Sequence, residues 1–245
     1  MVHEAAFTEI DHYFHQGYLT AQQAENDAAE ALALLGISPG ARILDAGCGD
    51  GRLAVRLAAL GFRVTGVDRD AAQLERARAA ADQSGISLAF VNAPLEEMGD
   101  IGIFDAALLW FTTWGFSDDS RNARVLRSIA SCLVPGGSLA LDTLNPIGVQ
   151  SYLSKHPEPV VTRQGEDEQI DAYSFDLVSS RLWTNRTVRK DGVESSRLLK
   201  LSLPTIPQWE QVLKEAGLIL DSVHGKEGSE FTPDSWGMVL VARAL

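Results

Sequence analysis

Glycines at alternate positions, Gly47, Gly49 and Gly51, close an apolar segment, ILDA, and open one of helical pattern. No other feature of the chain restricts its fold as strongly. A glycine lacks Cβ, so its backbone can turn left-handed and another group can lie against it. A tight loop between a strand and a helix is expected here, at the carboxyl end of a parallel strand. Two common loops do not match the spacing. The dinucleotide loop G-x-G-x-x-G needs its third glycine at position 52, which is Arg52, and no G-K-[S/T] follows to make a Walker loop.

Segments of the two types alternate around this loop. ARILDA (41–46), RVTGVD (63–68), SLAFV (87–91), FDAALLW (104–110) and GSLALDT (137–143) read as buried strands. Helices are expected over residues 19–35, 51–60, 70–84 and 118–133, the last broken by Pro135-Gly136-Gly137. Such alternation means right-handed βαβ units and a parallel sheet. The pattern changes after Pro146. EQIDAYSFD, RLWTNRTVRK and ESSRLLKLSL are rich in β-branched and aromatic residues, and Asp191-Gly192 suits a hairpin turn between the last two. A helix, QWEQVLKEAG, and two strands, LILDSVHG and MVLVARA, follow. The expected fold is a doubly wound, Rossmann-like, mostly parallel seven-stranded sheet with an inserted antiparallel lid sheet. The expected units are an N-terminal lid segment (1–18), a ligand-binding core (19–150), the lid insertion (151–203) and a C-terminal completion of the core (204–245).

Composition narrows the partners. Among 245 residues, 45% are hydrophobic and the net charge is −12. An acidic surface repels phosphate backbones, so nucleic acid is not an expected partner. No apolar run reaches the roughly 18 residues of a membrane span, and the N-terminus shows no signal-peptide pattern. A cytoplasmic protein with no membrane partner is expected. Cys48 and Cys132 form no C-x-x-C pair, so no metal site is expected and both read as packing residues. The sequence does not indicate an oligomeric state.

Asp68 ends the second strand, about twenty residues past the first glycines, where a carboxylate can accept hydrogen bonds from both hydroxyls of a ribose. A helix-capping role is the alternative. Asp45 is either a plain strand-end carboxylate or a group facing the charged end of a ligand.

ILDAGCGDGRLAVRLAALGFRVTGVD resembles the first motif and acidic loop of class I S-adenosylmethionine-dependent methyltransferases. FTTWGFSDDSRNARVLRSIASCLVPGGSLALDTLNP and GSEFTPDSWGMVLVARA resemble a bacterial small-molecule branch with an F-T-S-x-G-Y-F-like segment after strand four. The resemblance spans most of residues 13–245. It implies S-adenosylmethionine as cofactor and S-adenosylhomocysteine as product. It also implies a cofactor site of Asp45, Gly47, Gly49, Asp68, Arg69, Asn92, Ala93, Trp110 and Phe111. Asn92 and Ala93 would meet the adenine, and Trp110 and Phe111 the methionyl side. The branch usually has Asp at position 92, a polar or basic residue at Leu95, Ser at Thr113 and often Arg at Trp236.

The acceptor is expected to be a small molecule, with an amine nitrogen favoured over a hydroxyl; a binding subunit without turnover is the alternative of another class. Neither an N-P-P-Y segment nor a Pro-Cys nucleophile is present, and no catalytic residue stands out. Tyr13, Tyr18, Trp114, Phe116 and His224 are candidates for the acceptor side. Of the other histidines, His12 and His15 read as solvated residues of a terminal helix, and His3 and His156 carry no assigned role. The run Glu166-Asp167-Glu168 reads as a solvated turn.

Overall fold

The structure is a computed structural model that describes residues 8–245. His3 and the first seven residues of the expected N-terminal segment lie outside the described residues.

Seven strands form the central sheet in the order β10-β11-β5-β4-β1-β2-β3. In chain order they are β1 (Arg42–Ala46), β2 (Arg63–Asp68), β3 (Ala89–Asn92), β4 (Phe104–Leu109), β5 (Leu133–Leu144), β10 (Leu218–Gly225) and β11 (Gly237–Ala244). β1 to β5 run parallel, and β11 is antiparallel to both its neighbours. The helices α2 (Ala21–Leu35), α3 (Arg52–Ala59), α4 (Ala71–Gln83), α5 (Asp119–Ser131) and α7 (Ile206–Glu215) cover its faces. One core face packs Ile43, Leu57 and Leu108 against α2 and α3, and the other packs Leu126, Ile129 and Trp209 under α5 and α7. The doubly wound, Rossmann-like sheet expected from the alternation is therefore present.

β5 begins earlier than expected. It starts at Leu133, before the Pro135-Gly136-Gly137 segment, and its register with β4 shifts between Phe104 and Ala106. The proline and glycines thus bulge a strand instead of separating it from a helix.

The insertion is a second, antiparallel sheet, β6-β7-β8-β9, preceded by a short helix. That helix, α6 (Pro146–Lys155), and the edge strand β6 (Val160–Gln164) were not foreseen. α6 carries a readable start: Asn145 accepts from Ile147 N through its side chain, and Pro146 occupies the first turn. β7 (Asp167–Asp176), β8 (Arg181–Lys190) and β9 (Val193–Ser202) follow. Lys190 faces Val193 across Asp191 and Gly192, whose φ angles of 51° and 75° make the expected two-residue hairpin.

On β8, burial alternates, turning Leu182, Thr184, Arg186 and Val188 inward. The register sets them in cross-strand rows: Phe175-Leu182-Leu201, then Tyr173-Thr184-Leu199, then Asp171-Arg186-Arg197. The underside of this sheet therefore passes from apolar to charged along the strands. α1 (Glu9–His15) docks against the charged row.

Candidate active site

A cleft of about 1580 Å³ lies where the carboxyl ends of the parallel strands meet the underside of the second sheet. Ligand pockets usually measure about 300–1,000 Å³, so this cleft can hold two molecules side by side. Its floor is the glycine loop and the ends of β2 and β4, its roof is β8 and β9, and α1 forms one wall.

The glycine loop is held from behind. Gly47 N and Cys48 N both donate to Val67 O, at 2.7 and 3.0 Å. Gly49 N donates to Asp68 Oδ2 at 2.9 Å, while Asp70 N donates to Asp68 Oδ1 at 2.9 Å. Asp68 thus ties the loop to the start of α4, whose own cap is Asp70. A carboxylate has about four lone-pair sites, so two remain for the cleft it lines. Gly47 takes φ 80°, and a Cβ there would fall 2.3 Å from Thr113 Cγ2. At Gly49, φ 53°, a Cβ would meet nothing within 4 Å. The loop is therefore packed at Gly47 and open at Gly49.

Acids dominate this end. Asp45 is 3% exposed, and its Oδ2 has no hydrogen-bond partner. Burial pushes its carboxyl up to about 7, against the pull of the Arg52 charge. Asp142, at the end of β5, accepts from Phe111 N at 2.9 Å and pairs with Lys226. Burial raises its pKa too, opposed by Lys226. Arg52 opens α3, donates from Nη1 to Asp27 at 2.6 Å, and stands 5.8 Å from the centre of the Phe111 ring. Phe111 and Thr112 have φ of 57° and 54°, an uncommon strain for non-glycine residues, which the Asp142 bond helps to hold. Burial also raises the Cys48 thiol pKa, so a thiolate nucleophile is disfavoured there.

The residues singled out in the sequence fall into two groups. Asp45, Gly47, Gly49, Asp68, Arg69, Trp110, Phe111, Trp114 and Phe116 all line the cleft. Asn92 and Ala93 stand beside Asp68 but are not part of the lining; Asn92 Nδ2 and Ala93 N both donate to Asp68 O. Leu95 and Glu96 line the cleft on that side. Trp114 is mostly buried, packed 4.5 Å from Trp209 with Nε1 donating to Asn122 O.

Three acceptor-side candidates lie off the cleft. Tyr13 turns to β7, donating to Asp167 Oδ2 at 2.8 Å with Lys190 over its ring. Tyr18 is 65% exposed. His224 sits on the edge strand β10 and bonds Ser222 Oγ at 2.8 Å. From the terminal stretch it is His12 and His15, read as solvated, that line the cleft. Glu168 of the acidic run pairs with Arg163 and Arg189.

The inserted sheet was expected as a lid, but the charged row on its underside was not. Arg186 donates to both oxygens of Asp171, at 2.7 and 2.6 Å, and pairs with buried Asp11 of α1, which also binds Arg197. Burial opposes ionisation of Asp11, but the Arg197 bond and the charges of Arg197 and Arg186 prevail and lower its pKa. Tyr173 donates to Asp171 Oδ2 at 3.3 Å, and burial beside that carboxylate raises its phenol pKa. Its one proton is turned to Asp171, and the Arg186 guanidinium donates to its oxygen, so Tyr173 belongs to the charged cluster of the roof.

Residues 43–137 match a family described as a methyltransferase domain. The chain is 39% identical over 107 residues to a ubiquinone biosynthesis O-methyltransferase of Methylocella silvestris, covering 43% of this chain but only 41% of that protein. It is 29% identical over 173 residues to the uncharacterized methyltransferase YodH of Bacillus subtilis, covering 71% of this chain and 68% of YodH. In fold it is similar to the CcbJ methyltransferase from Streptomyces caelestis, with a TM-score of 0.75 over 90% of this chain and 89% of that one, at 21% identity.

Proposed function

We propose that the chain is a class I S-adenosylmethionine-dependent methyltransferase that methylates a small metabolite at an amine nitrogen, releasing S-adenosylhomocysteine. One observation carries this reading. A glycine loop tied to Asp68 opens on a roofed cleft with room for both a nucleoside cofactor and an acceptor.

The residues suit the cofactor. Gly49 leaves space beside its backbone, Asp68 keeps lone pairs for ribose hydroxyls, and the unpartnered Asp45 oxygen suits an ammonium group. Asp45, Gly47, Gly49, Asp68, Arg69, Trp110 and Phe111 form the proposed cofactor site, with Asn92 and Ala93 bracing Asp68. Bound there, S-adenosylmethionine supplies an electrophilic methyl group.

The chain itself must align the acceptor, exclude water and accept a proton. Orientation alone can be worth roughly 7–11 kcal/mol of a bimolecular barrier. Phe116 and Leu144 form an apolar floor beneath Tyr173, Leu182 and Leu201 of the roof. A neutral amine is nucleophilic once its proton has a place to go, whereas a hydroxyl wants a stronger base. A net charge of −12 favours a neutral or cationic acceptor over a polyanion. A cytoplasmic address completes the reading.

The relative from Methylocella silvestris, named as an O-methyltransferase, keeps a hydroxyl acceptor as the second reading. Mass spectrometry of products formed from matched sets of amines and alcohols distinguishes the two. N-methyl products are expected; products methylated only on oxygen would overturn the amine assignment. Binding of S-adenosylmethionine with no turnover on any substrate would favour a binding subunit.

A further inference from the structure

Trp236 is a large aromatic side chain that lines the cleft and yet stays 42% exposed, so it stands at the rim. It immediately precedes β11, whose first residue, Gly237, faces Leu144 at the carboxyl end of β5. In the sheet order β5 and β11 lie on one side of β4, whereas β1 and β2, which carry the glycine loop and Asp68, lie on the other. Trp236 is therefore on the side of β4 opposite the glycine loop, where an acceptor has room.

The backbone that carries Trp236 is tightly held. Asn145, 2% exposed, donates from Nδ2 to Ser235 O at 2.8 Å and to Pro233 O at 3.0 Å, and its backbone N donates to Trp236 O at 2.9 Å. Ser235 N donates to Thr232 O at 3.0 Å, closing a turn. α6 lies directly on this segment, since a Cβ at Gly148 would fall 2.1 Å from Ser235 O. From α6, Tyr152 brings its ring centre to 4.9 Å from that of Trp236, with the planes 72° apart, an edge-to-face pair. An indole fixed in advance loses little freedom when a ligand lies on it.

Its surroundings select what can lie there. Leu144 next to it packs with Phe116 against Leu182 and Leu201, the apolar end of the roof. Lys226, the one cation among the described residues lining the β5–β11 end, is paired with Asp142. Arg186 and Arg197 of the charged row are taken by Asp11 and Asp171. A carboxylate or phosphate on the acceptor would find no unpaired cation here. An uncharged ring would find a fixed aromatic surface and an apolar floor.

We propose that Trp236 is a specificity-determining residue that receives an uncharged, flat ring carried by the acceptor. The inference rests on the amine reading above and names the class of amine: ring-bearing and without an anionic group.

Methyl transfer from S-adenosylmethionine to three primary amines tests it. 2-Phenylethylamine carries a ring, n-butylamine a plain chain and β-alanine a carboxylate. The wild type should use 2-phenylethylamine with a kcat/KM at least tenfold above the other two. Trp236→Ala should remove at least tenfold of that value, chiefly through KM, because a binding surface acts on ground and transition states alike. The loss for n-butylamine should be at least fivefold smaller, and Trp236→Phe should recover most of the loss for the ring. A wild-type preference for either other amine would overturn the proposal. So would equal losses for ring and chain, a loss confined to kcat, or a phenylalanine variant no better than alanine. If Trp236→Ala does not fold, the wild-type order and Trp236→Phe decide. If none of the three amines is methylated but a metabolite extract takes up label, the labelled product decides. A product that passes an anion exchanger and is held on a reversed-phase support is expected, and one held on the anion exchanger would overturn the proposal. No label in the extract either would overturn the function reading itself.

Discussion

Replacing Asp68 with alanine removes a carboxylate with four jobs. Two of its lone pairs hold Gly49 N and Asp70 N, each at 2.9 Å. The other two face the cleft, where the hydroxyls of a ribose would donate. A hydrogen bond to a charged group contributes roughly 1.5–3 kcal/mol, so losing both ribose bonds costs about 3–6 kcal/mol. At 1.4 kcal/mol per factor of ten, that is a roughly 10²- to 10⁴-fold weaker complex. Asp68 is half-buried, and solvent takes back part of the gain, so the lower end, about 100-fold, is expected. The fold should survive, because Asp70 still caps α4 through Ala72 N and Gln73 N, and Val67 O still holds Gly47 and Cys48. Calorimetry with S-adenosylhomocysteine reads the affinity, and circular dichroism the fold. A loss below about threefold, which is roughly 0.6 kcal/mol, would refute the ribose assignment.

Gly47→Ala combines a positive-φ penalty of about 1–2 kcal/mol with a collision against Thr113 Cγ2. Melting should fall by several degrees, and Thr113→Ala in the same chain should restore part of the loss. Asp45 titrates high because it is buried, so the native state keeps a proton that the unfolded chain releases near 3.8. Its contribution to stability is therefore greatest below about 4 and falls as pH rises through about 7. The limit is roughly 4 kcal/mol across that window, and Asp45→Asn should melt increasingly above wild type between those values. Asp11→Ala strips the counter-charge from buried Arg186 and from Arg197, a change that costs about 3–5 kcal/mol for a buried pair. Limited proteolysis should then cut near α1 before the core; unchanged digestion would show that the cluster does not hold α1 to the roof.

What could be read in the sequence follows from how local each signal is. The glycine spacing, Asp68 and the alternating strands depend on neighbours in the chain, and the parallel sheet they imply is present. The start of β5 was misplaced because Pro135-Gly136-Gly137 serves equally as a helix stop and as a strand bulge; only pairing with β4 distinguishes them. α6 was missed although Asn145-Pro146 is a standard helix start, because the segment after strand five was read for strands alone. The roof charges could not be read at all. Asp11 meets Arg186 and Arg197 across 175 and 186 positions, and in a linear chain such residues look like solvated surface. Tyr13 was a candidate for the acceptor side but donates to Asp167, a contact 154 positions away. Long-range pairing in the inserted sheet decides which side chains face the acceptor, so the acceptor end was the least legible part of the site.

Methyl transfer itself is the most direct test of the account. Purified protein is incubated with S-adenosylmethionine labelled on the methyl group and a metabolite extract, beside a protein-free control and the Asp68→Ala variant. The account predicts S-adenosylhomocysteine in equal amount to label recovered in small molecules, with the variant near the control. Tight binding of the cofactor with no S-adenosylhomocysteine above the control, or label confined to macromolecules, would contradict it.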